Sequence, residues 1–172
     1  MNLYLRLFWL WLAMLGKSSE PRFTVSRLKL RVLPNDLDLF LHVNNGRYLT
    51  LMDLGRLHIV MRSGLLKVMR ERQWHAAASA VEIRFRRPLK LWQRFELVTE
   101  VVDWDEYWIL FEQHFESGGK VYARALVKAQ FRHRRERVPT ETILELVGMQ
   151  GEQAPGNGRL VCDLGANIKH DD

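Results

Sequence analysis

The chain has 172 residues, of which 47% are hydrophobic and 27% charged, a balance that is typical of globular proteins and excludes disordered or fibrous classes. Its single cysteine, Cys162, excludes an intrachain disulfide, and no Cys/His cluster has zinc-site spacing, so we expect no metal. A net charge of +6 favours anionic partners: nucleic acid, an acidic membrane surface or a phosphate-bearing molecule.

Residues 1–22 form an apolar N-terminal segment ahead of the predicted domain. The run MNLYLRLFWLWLAML is interrupted by Arg6 and is shorter than the ~20 residues that a membrane-spanning helix needs. No Ala-x-Ala-like site follows it, which disfavours a cleaved secretory signal. Two interpretations stay open for residues 1–16. They either lie in the bilayer interface, with Trp9 and Trp11 at the headgroups, or cover apolar surface of the protein or of a dimer partner.

Residues 23–150 carry the periodic patterns of a single folded domain. A strand is predicted over 23–33, where Pro34 ends it, and a long helix over 46–62 that is buried on most sides. Alternation then predicts strands near 81–87 and over 94–102, 107–115 and 121–132, with turns at 103–106 and Ser117-Gly118-Gly119, and a short helix over 140–147. Residues 151–172 are predicted to form a mobile tail.

One long helix combined with a largely antiparallel sheet is an α+β arrangement. A single sheet has two faces, and one major helix covers only part of them. The N-terminal segment and a second subunit are the available covers, so we expect a homodimer or a dimer of dimers.

The loop between the first strand and the long helix concentrates polar chemistry. Asp36 and Asp38 precede a helix start, where unpaired backbone N–H groups can stabilise negative charge on a carbonyl oxygen. A carboxylate there can act as a nucleophile or activate water, but Asp and Asn are also ordinary turn and capping residues, and Asn44 or Asn45 could be the helix N-cap. The interleaved apolar residues predict a buried loop beside an apolar pocket: Leu37, Leu39, Phe40 and Leu41.

This segment resembles the signature of the 4-hydroxybenzoyl-CoA-thioesterase-type hotdog proteins. The residues that carry the resemblance are Asp36-x-Asp38-x-x-x-His42-Val43-Asn44-Asn45-x-x-Tyr48, followed by Asp53-x-x-Arg56. The sequence of residues 32–49 is especially similar to the subgroup that includes thioesterase superfamily member six, and the resemblance extends over roughly 23–135. The resemblance implies a hotdog fold, in which the sheet wraps the long helix, and acyl-CoA bound at a dimer interface. It also implies thioester hydrolysis with Asp38 as the catalytic carboxylate and with no cofactor, because coenzyme A is part of the substrate. Asp36→Asn is expected to impair turnover less than Asp38→Asn.

The remaining signature positions have separate expected roles. If the loop resembles its relatives, the backbone N–H groups of Asn45, Gly46 and Arg47 polarise the thioester oxygen, and Gly46 leaves room for the ligand. His42 is a reserve catalytic candidate, although a structural hydrogen bond within the loop fits it better. Tyr48 is expected in the core with its hydroxyl at the pocket edge.

Two further groups of charged residues qualify as site candidates. Asp53 is a reserve catalytic residue, with a salt bridge to Arg56 three positions on as the structural alternative. Arg86, Arg87 and Lys90 are candidates to bind the phosphates of coenzyme A, although ordinary solvated charge describes any single one of them as well.

Acyl-CoA hydrolysis by a cytoplasmic enzyme of fatty acid metabolism, acting on medium or long chains, is the leading interpretation. A non-catalytic acyl-CoA or lipid-binding protein, peripheral to a membrane through residues 1–16, is the alternative. Nucleic-acid binding is disfavoured because the cations are dispersed and no recognition element accompanies them. A dehydratase of the same fold is disfavoured because no His and acidic pair stands in a suitable pattern.

Overall fold

A computed structural model describes residues 2–14, 20 and 22–154 of the chain. Its helices and strands, in chain order, are α1 (Asn2–Met14), β1 (Ser26–Arg31), α2 (Asn45–Arg62), α3 (Leu65–Glu71), β2 (Trp74–Phe85), β3 (Arg94–Trp104), β4 (Ile109–Ser117), β5 (Lys120–His133), β6 (Glu136–Arg137) and α4 (Thr140–Leu146). A short 3₁₀ turn, Pro34–Asp36, follows β1.

The strands form one antiparallel sheet in the order β1-β3-β4-β5-β2, with β6 paired to β5. The hairpin predicted between β4 and β5 is confirmed. Gly118 and Gly119 have φ angles of 54° and 70°, which glycine adopts without steric cost. The predicted alternation on β5 is also confirmed, since the side chains from Ala123 to Phe131 at every second position are buried. The sheet therefore presents an apolar face to the helices.

The long helix α2 packs against the sheet through one face of its 3.6-residue period. That face carries the buried residues Tyr48, Leu51, Met52, Leu54, Gly55, Ile59 and Val60. From Arg47 to Arg62 only Leu49 and Asp53 are exposed, and the other residues are buried or half-buried, so the expectation of a helix buried on most sides is confirmed. The sheet covers one side of α2, and helix α1 also packs against it.

Several element boundaries differ from their predictions. The first strand is shorter than 23–33, and β3 continues through Trp104 before the turn. Helix α3 was not predicted from the sequence, and β2 begins earlier than predicted because residues 74–80 have no alternating pattern. This part of β2 carries small alanines at an exposed sheet edge, and its pairing with β5 shifts register between Ala78 and Ala80. Periodicity therefore gave no signal there.

The N-terminal helix α1 lies on the domain. Leu3 and Leu7 pack against the core, while other large apolar side chains of the helix are exposed, namely Tyr4, Leu5, Phe8, Trp9, Trp11 and Leu12. Within the described residues, no helix is long and apolar enough to cross a bilayer. Residues 1, 15–19 and 21 of the predicted N-terminal segment and residues 155–172 of the predicted tail lie outside the described part of the chain.

Candidate active site

The loop after β1 is organised around the Asp38 carboxylate. Its Oδ1 atom accepts hydrogen bonds from the backbone N–H groups of Phe40 (2.8 Å) and His42 (3.3 Å), and its own N–H donates to the His42 carbonyl (2.8 Å). Both side-chain bonds end on Oδ1, and Oδ2 accepts no hydrogen bond from the described residues. The turn therefore fixes the carboxylate while leaving one oxygen to act on a ligand.

The tip of this loop is exposed, which corrects the prediction of a buried apolar loop. Leu39, Phe40 and Leu41 are 98%, 80% and 70% exposed. The turn at Asp38 directs the next three residues away from the core, and Leu41 adopts a left-handed φ of 60° to close it. Only Leu37 of the four apolar residues packs against the core.

A cleft of about 310 Å³ opens beside Asp38. Six of the residues selected from the sequence line it, and they are Asp38, His42, Asn45, Tyr48, Arg86 and Arg87, together with Val43, Phe85 and Pro88. Gly46, Arg47, Asp53 and Lys90 are not among its lining residues. The fold thus brings the loop, the start of α2 and the end of β2 to one place.

The N-terminus of α2 forms one wall of the cleft. Asn44 is the N-cap, one of the two candidates for that role, and its Oδ1 accepts from the Gly46 N–H at 2.9 Å. The Arg47 N–H donates to the Asn44 carbonyl at 2.8 Å. The Asn45 N–H has no acceptor among the described residues, so of these three backbone donors it is the one left for a ligand.

Gly46 is constrained by the cap rather than by the cleft. A Cβ atom built on Gly46 would lie 3.2 Å from Asn44 Oδ1, a tight contact with the capping amide. The predicted role of Gly46, leaving room for a close ligand, is untested by this geometry. The lack of a side chain at Gly46 leaves room for the Asn44 capping amide.

Asp36, two residues before Asp38, has a different environment. Its side chain is fully buried, and Oδ2 accepts from Arg6 Nη2 at 2.7 Å and from the Leu33 N–H at 2.9 Å. Its Oδ1 accepts from Arg47 Nη2 at 3.2 Å. The Arg47 side chain is therefore committed to Asp36. Sequence reasoning missed Arg6, although a single charge within an apolar helix was the available signal.

Tyr48 occupies the position expected of it. The side chain is 2% exposed, its ring makes edge contacts with Phe85 and Phe115, and its hydroxyl accepts from the Leu89 N–H at 3.4 Å. Burial raises the pKa of the Tyr48 hydroxyl, and the bond from Leu89 opposes the shift. Tyr48 therefore forms the neutral floor of the cleft.

Asp53 takes part in a polar chain on the other side of α2. Its exposed carboxylate pairs with Arg56, whose Nη1 donates to Gln113 Oε1 at 2.6 Å. Gln113 is fully buried and donates to the Met52 carbonyl and to Thr99 Oγ1. Burial lowers the pKa of the Arg56 guanidinium, and the neighbouring Asp53 carboxylate raises it. The salt bridge considered from the sequence is present.

The basic residues after β2 separate into two environments. Arg86 and Arg87 are exposed, line the cleft, and are held by backbone bonds to the Tyr122 carbonyl at 2.8 and 3.1 Å. Lys90 is exposed outside the cleft, and its backbone pairs with His42 in an isolated bridge. The two arginines are therefore the cations that a phosphate in the cleft would meet.

Comparison with known families was decisive for the identity of the domain. The model of the thioesterase-like superfamily matches residues 32–147, which include every residue that lines the cleft. The chain belongs to the thioesterase-like superfamily. Protein THEM6 of Xenopus laevis is 40% identical to it over 84 residues, which are 49% of this chain and 41% of that protein. The matched region thus spans less than half the length of that relative.

Solved structures named as thioesterases show the same fold. The probable thioesterase YbaW from Escherichia coli superposes with a TM-score of 0.66 at 20% identity, covering 74% of this chain and 99% of that one. A thioesterase from Thermus thermophilus, complexed with coenzyme A and zinc, gives a TM-score of 0.60 at 23% identity, covering 77% and 98%. The predicted α+β hotdog fold, with helix α2 against a curled antiparallel sheet, is confirmed.

Proposed function

We propose that this protein hydrolyses an acyl-CoA thioester to the free acid and coenzyme A, with Asp38 as the catalytic carboxylate. The observation that carries the proposal is that Asp38, the start of α2 and two exposed arginines line one cleft. A thioesterase needs a base or nucleophile, a donor to the carbonyl oxygen and cations for the nucleotide phosphates. The cleft contains a residue of each kind, within a superfamily named for this activity.

The reaction can be followed atom by atom at this site. As a general base, Asp38 takes a proton from water while the water oxygen forms a bond to the thioester carbonyl carbon. The carbonyl oxygen accepts from the Asn45 N–H at the positive end of α2. The C–S bond then breaks, and the departing thiolate receives the proton from Asp38. Direct attack by Asp38, followed by hydrolysis of the resulting anhydride, uses the same groups. No cofactor is required, because coenzyme A is part of the substrate.

Substrate recognition is proposed to divide between cations and apolar side chains. Arg86 and Arg87 present guanidinium groups suited to the phosphates of coenzyme A. The exposed Leu39, Phe40 and Leu41 adjoin the cleft through the Asp38 turn, which favours an apolar acyl chain of medium or long length. Fatty acyl-CoA is therefore the proposed substrate class.

The test is hydrolysis of an acyl-CoA panel, from acetyl to palmitoyl, with released thiol detected by a thiol-reactive dye. Turnover by the wild-type chain and its loss in Asp38→Asn are expected. An inactive wild-type chain across the whole panel would contradict the proposal, and an equally active Asp38→Asn would remove Asp38 from its role.

Binding without turnover is the second candidate, and one observation favours it. Two of the three predicted oxyanion donors, the N–H groups of Gly46 and Arg47, are already bonded to Asn44. A site with one remaining donor, that of Asn45, stabilises a tetrahedral oxyanion less well than a site with several. Saturable binding of an acyl-CoA with no thiol release would select this alternative.

A homodimer or a dimer of dimers is proposed from the sheet edge. β2 is a 12-residue edge strand, and most of its side chains are exposed, including Val81 and Phe85. Long unprotected edges pair readily with another chain. The cleft lies at the end of this strand, so a second copy would complete its open side. Light scattering that gives the mass of one chain at micromolar concentration would contradict this.

Peripheral membrane contact by a cytoplasmic protein is proposed for α1. Its outward face combines Trp9, Trp11 and Tyr4 with aliphatic side chains, and it carries no charge because Arg6 points inward. Such aromatic residues favour the bilayer interface. Flotation with anionic and neutral vesicles, compared with a Trp9→Ser/Trp11→Ser variant, tests the contact. Equal flotation of both chains would refute it.

A further inference from the structure

The N-terminal helix is joined to the candidate site by one side chain. Arg6 is the only charged residue of α1, and its side chain is 10% exposed. Its Nη2 atom donates to Asp36 Oδ2 at 2.7 Å and to the Arg31 carbonyl at 2.9 Å. A helix whose outward face is apolar thus directs its single cation at a buried carboxylate.

Asp36 passes this connection to both walls of the cleft. Its carbonyl oxygen accepts from the N–H of Asn44, the N-cap of α2, at 2.9 Å, and its Oδ1 accepts from the Arg47 side chain in the first turn of that helix. Asp38 follows two residues later, at the start of the turn that lines the cleft. One buried residue therefore fixes both the base of the Asp38 turn and the start of α2.

We propose that Arg6 is a positioning residue for thioester hydrolysis, which makes α1 a part of the catalytic unit as well as a surface element. The inference rests on the proposed function and adds a residue from outside the recognised superfamily region, which begins at residue 32. Without Arg6, the buried Asp36 carboxylate loses the nearer of the two guanidinium groups that pair with it here, and Arg47 stays in place. The loop then relaxes to solvate the carboxylate, and a displacement of about 1 Å at Asp38 can lower turnover by about 100-fold.

Stability alone is a weaker explanation of the Arg6–Asp36 pair. Burying two charges carries a desolvation cost that often exceeds their attraction, and apolar replacements of buried pairs are frequently neutral or stabilising. Arg6 Nη1 is itself buried with no hydrogen-bond partner among the described residues, which adds to that cost. These contacts therefore favour a role for Arg6 in positioning the Asp36–Asp38 loop over a role in stabilising the fold.

The test compares Arg6→Gln with Arg6→Lys in the full-length chain, using steady-state hydrolysis of the best acyl-CoA of the panel. Arg6→Gln is expected to lower kcat by about 10- to 100-fold with KM nearly unchanged, since the substrate-binding arginines are untouched. Arg6→Lys restores the charge and should recover part of the loss. Arg70→Gln, which removes an exposed helix arginine, is the matched control and should leave both constants unchanged.

Dependence on Asp36 separates positioning from a general loss of stability. In an Asp36→Asn background, Arg6→Gln should have little additional effect on kcat, because the pair acts as one unit. If Arg6→Gln does not fold, Arg6→Met/Asp36→Asn replaces it, since that variant leaves no buried carboxylate unpaired, and the same loss of kcat is expected. Unchanged kcat in a folded Arg6 variant would overturn the proposal.

Amide hydrogen exchange gives a readout that does not need activity. The N–H groups of Phe40 and Asn44 bond to Asp38 and Asp36, so they should exchange faster in Arg6→Gln, while the Val127 amide in the central sheet is unaffected. If the wild type is inactive but Arg6→Gln shows this faster exchange, the proposed hydrolysis is refuted while the positioning of the loop by Arg6 stands. Unchanged exchange at Phe40 and Asn44 would refute the positioning.

Discussion

Asp36 and Asp38 lie two residues apart, but only the Asp38 carboxylate reaches the cleft. The Asp36 side chain is fully buried between Arg6 and Arg47, and Asp38 is held at the cleft by two backbone N–H groups. Two identical side chains therefore have different tasks: Asp36 supports the loop and Asp38 presents an oxygen to a ligand.

Amide substitution should lower turnover at Asp38 and stability at Asp36. Asp38→Asn is expected to lower kcat by about 10²–10⁴-fold without changing the unfolding temperature, because the turn can form with an amide oxygen. Asp36→Asn is expected to lower stability by about 3 kcal/mol, because two guanidinium groups lose their buried counter-charge. Thermal unfolding and steady-state kinetics of both variants test this difference. A lower unfolding temperature for Asp38→Asn than for Asp36→Asn would contradict it.

Removal of the cleft arginines should weaken substrate binding more than chemistry. Arg86→Gln/Arg87→Gln is expected to raise KM for acyl-CoA about tenfold, with kcat little changed and the difference reduced at high salt. For an acyl-pantetheine substrate, which lacks the nucleotide phosphates, the variant and the wild type should have the same KM. Arg84→Gln is the control, because Arg84 is exposed near the end of β2, just before the two arginines, but pairs with Glu82 and does not line this cleft. An equal effect of Arg84→Gln would show a general loss of charge.

The exposed loop tip should affect chain-length preference. Phe40→Ser keeps the backbone bond to Asp38 and removes an aromatic ring that is exposed in the single chain. We expect kcat/KM for palmitoyl-CoA to fall about tenfold relative to butyryl-CoA, which corresponds to losing about 1.4 kcal/mol of apolar contact. The unfolding temperature should not change. A constant ratio between the two substrates would place the acyl chain elsewhere.

Gly55 should be intolerant of the smallest side chain. A Cβ atom there would lie 2.2 Å from Thr99 Oγ1 and 2.9 Å from Gln113 Nε2, in the buried polar contact between α2 and the sheet. Alanine favours helix by about 1 kcal/mol over glycine, but overpacking this contact is expected to cost about 1–3 kcal/mol more than that gain. Denaturant unfolding measures the net loss. Leu49→Ala, on the exposed side of α2, is the comparison, and a stabilised Gly55→Ala would refute the close packing.

Tyr48 should make stability depend on alkaline pH. Burial raises the pKa of Tyr48 in the folded chain, so the unfolded chain releases this proton first, near its ordinary value of about 10. Stability present below about pH 10 is therefore lost as the pH rises through the raised pKa. Tyr48→Phe should lose less stability than the wild type between about pH 8 and about pH 10.5. Equal losses in denaturant unfolding would indicate that Tyr48 is not the group responsible.

Local sequence patterns were sufficient for much of the framework. The helix over 46–62, the β4–β5 hairpin and the buried face of β5 were predictable because periodicity and turn glycines act within a few residues. The missed parts have specific causes. The alanine-rich start of β2 has no alternation to read, and the exposure of Leu39–Leu41 depends on the Asp38 turn, which no composition rule describes.

For the site, the sequence by itself determined that a carboxylate-bearing loop precedes a capped helix, and its resemblance to hotdog thioesterases selected Asp38. Only the tertiary structure decided that Arg86 and Arg87 share the cleft with Asp38, and that Arg6 reaches Asp36 across 30 positions of the chain. The physical reason is range: capping and periodicity act between neighbours, whereas the pairing of a buried charge depends on which distant element the fold brings beside it.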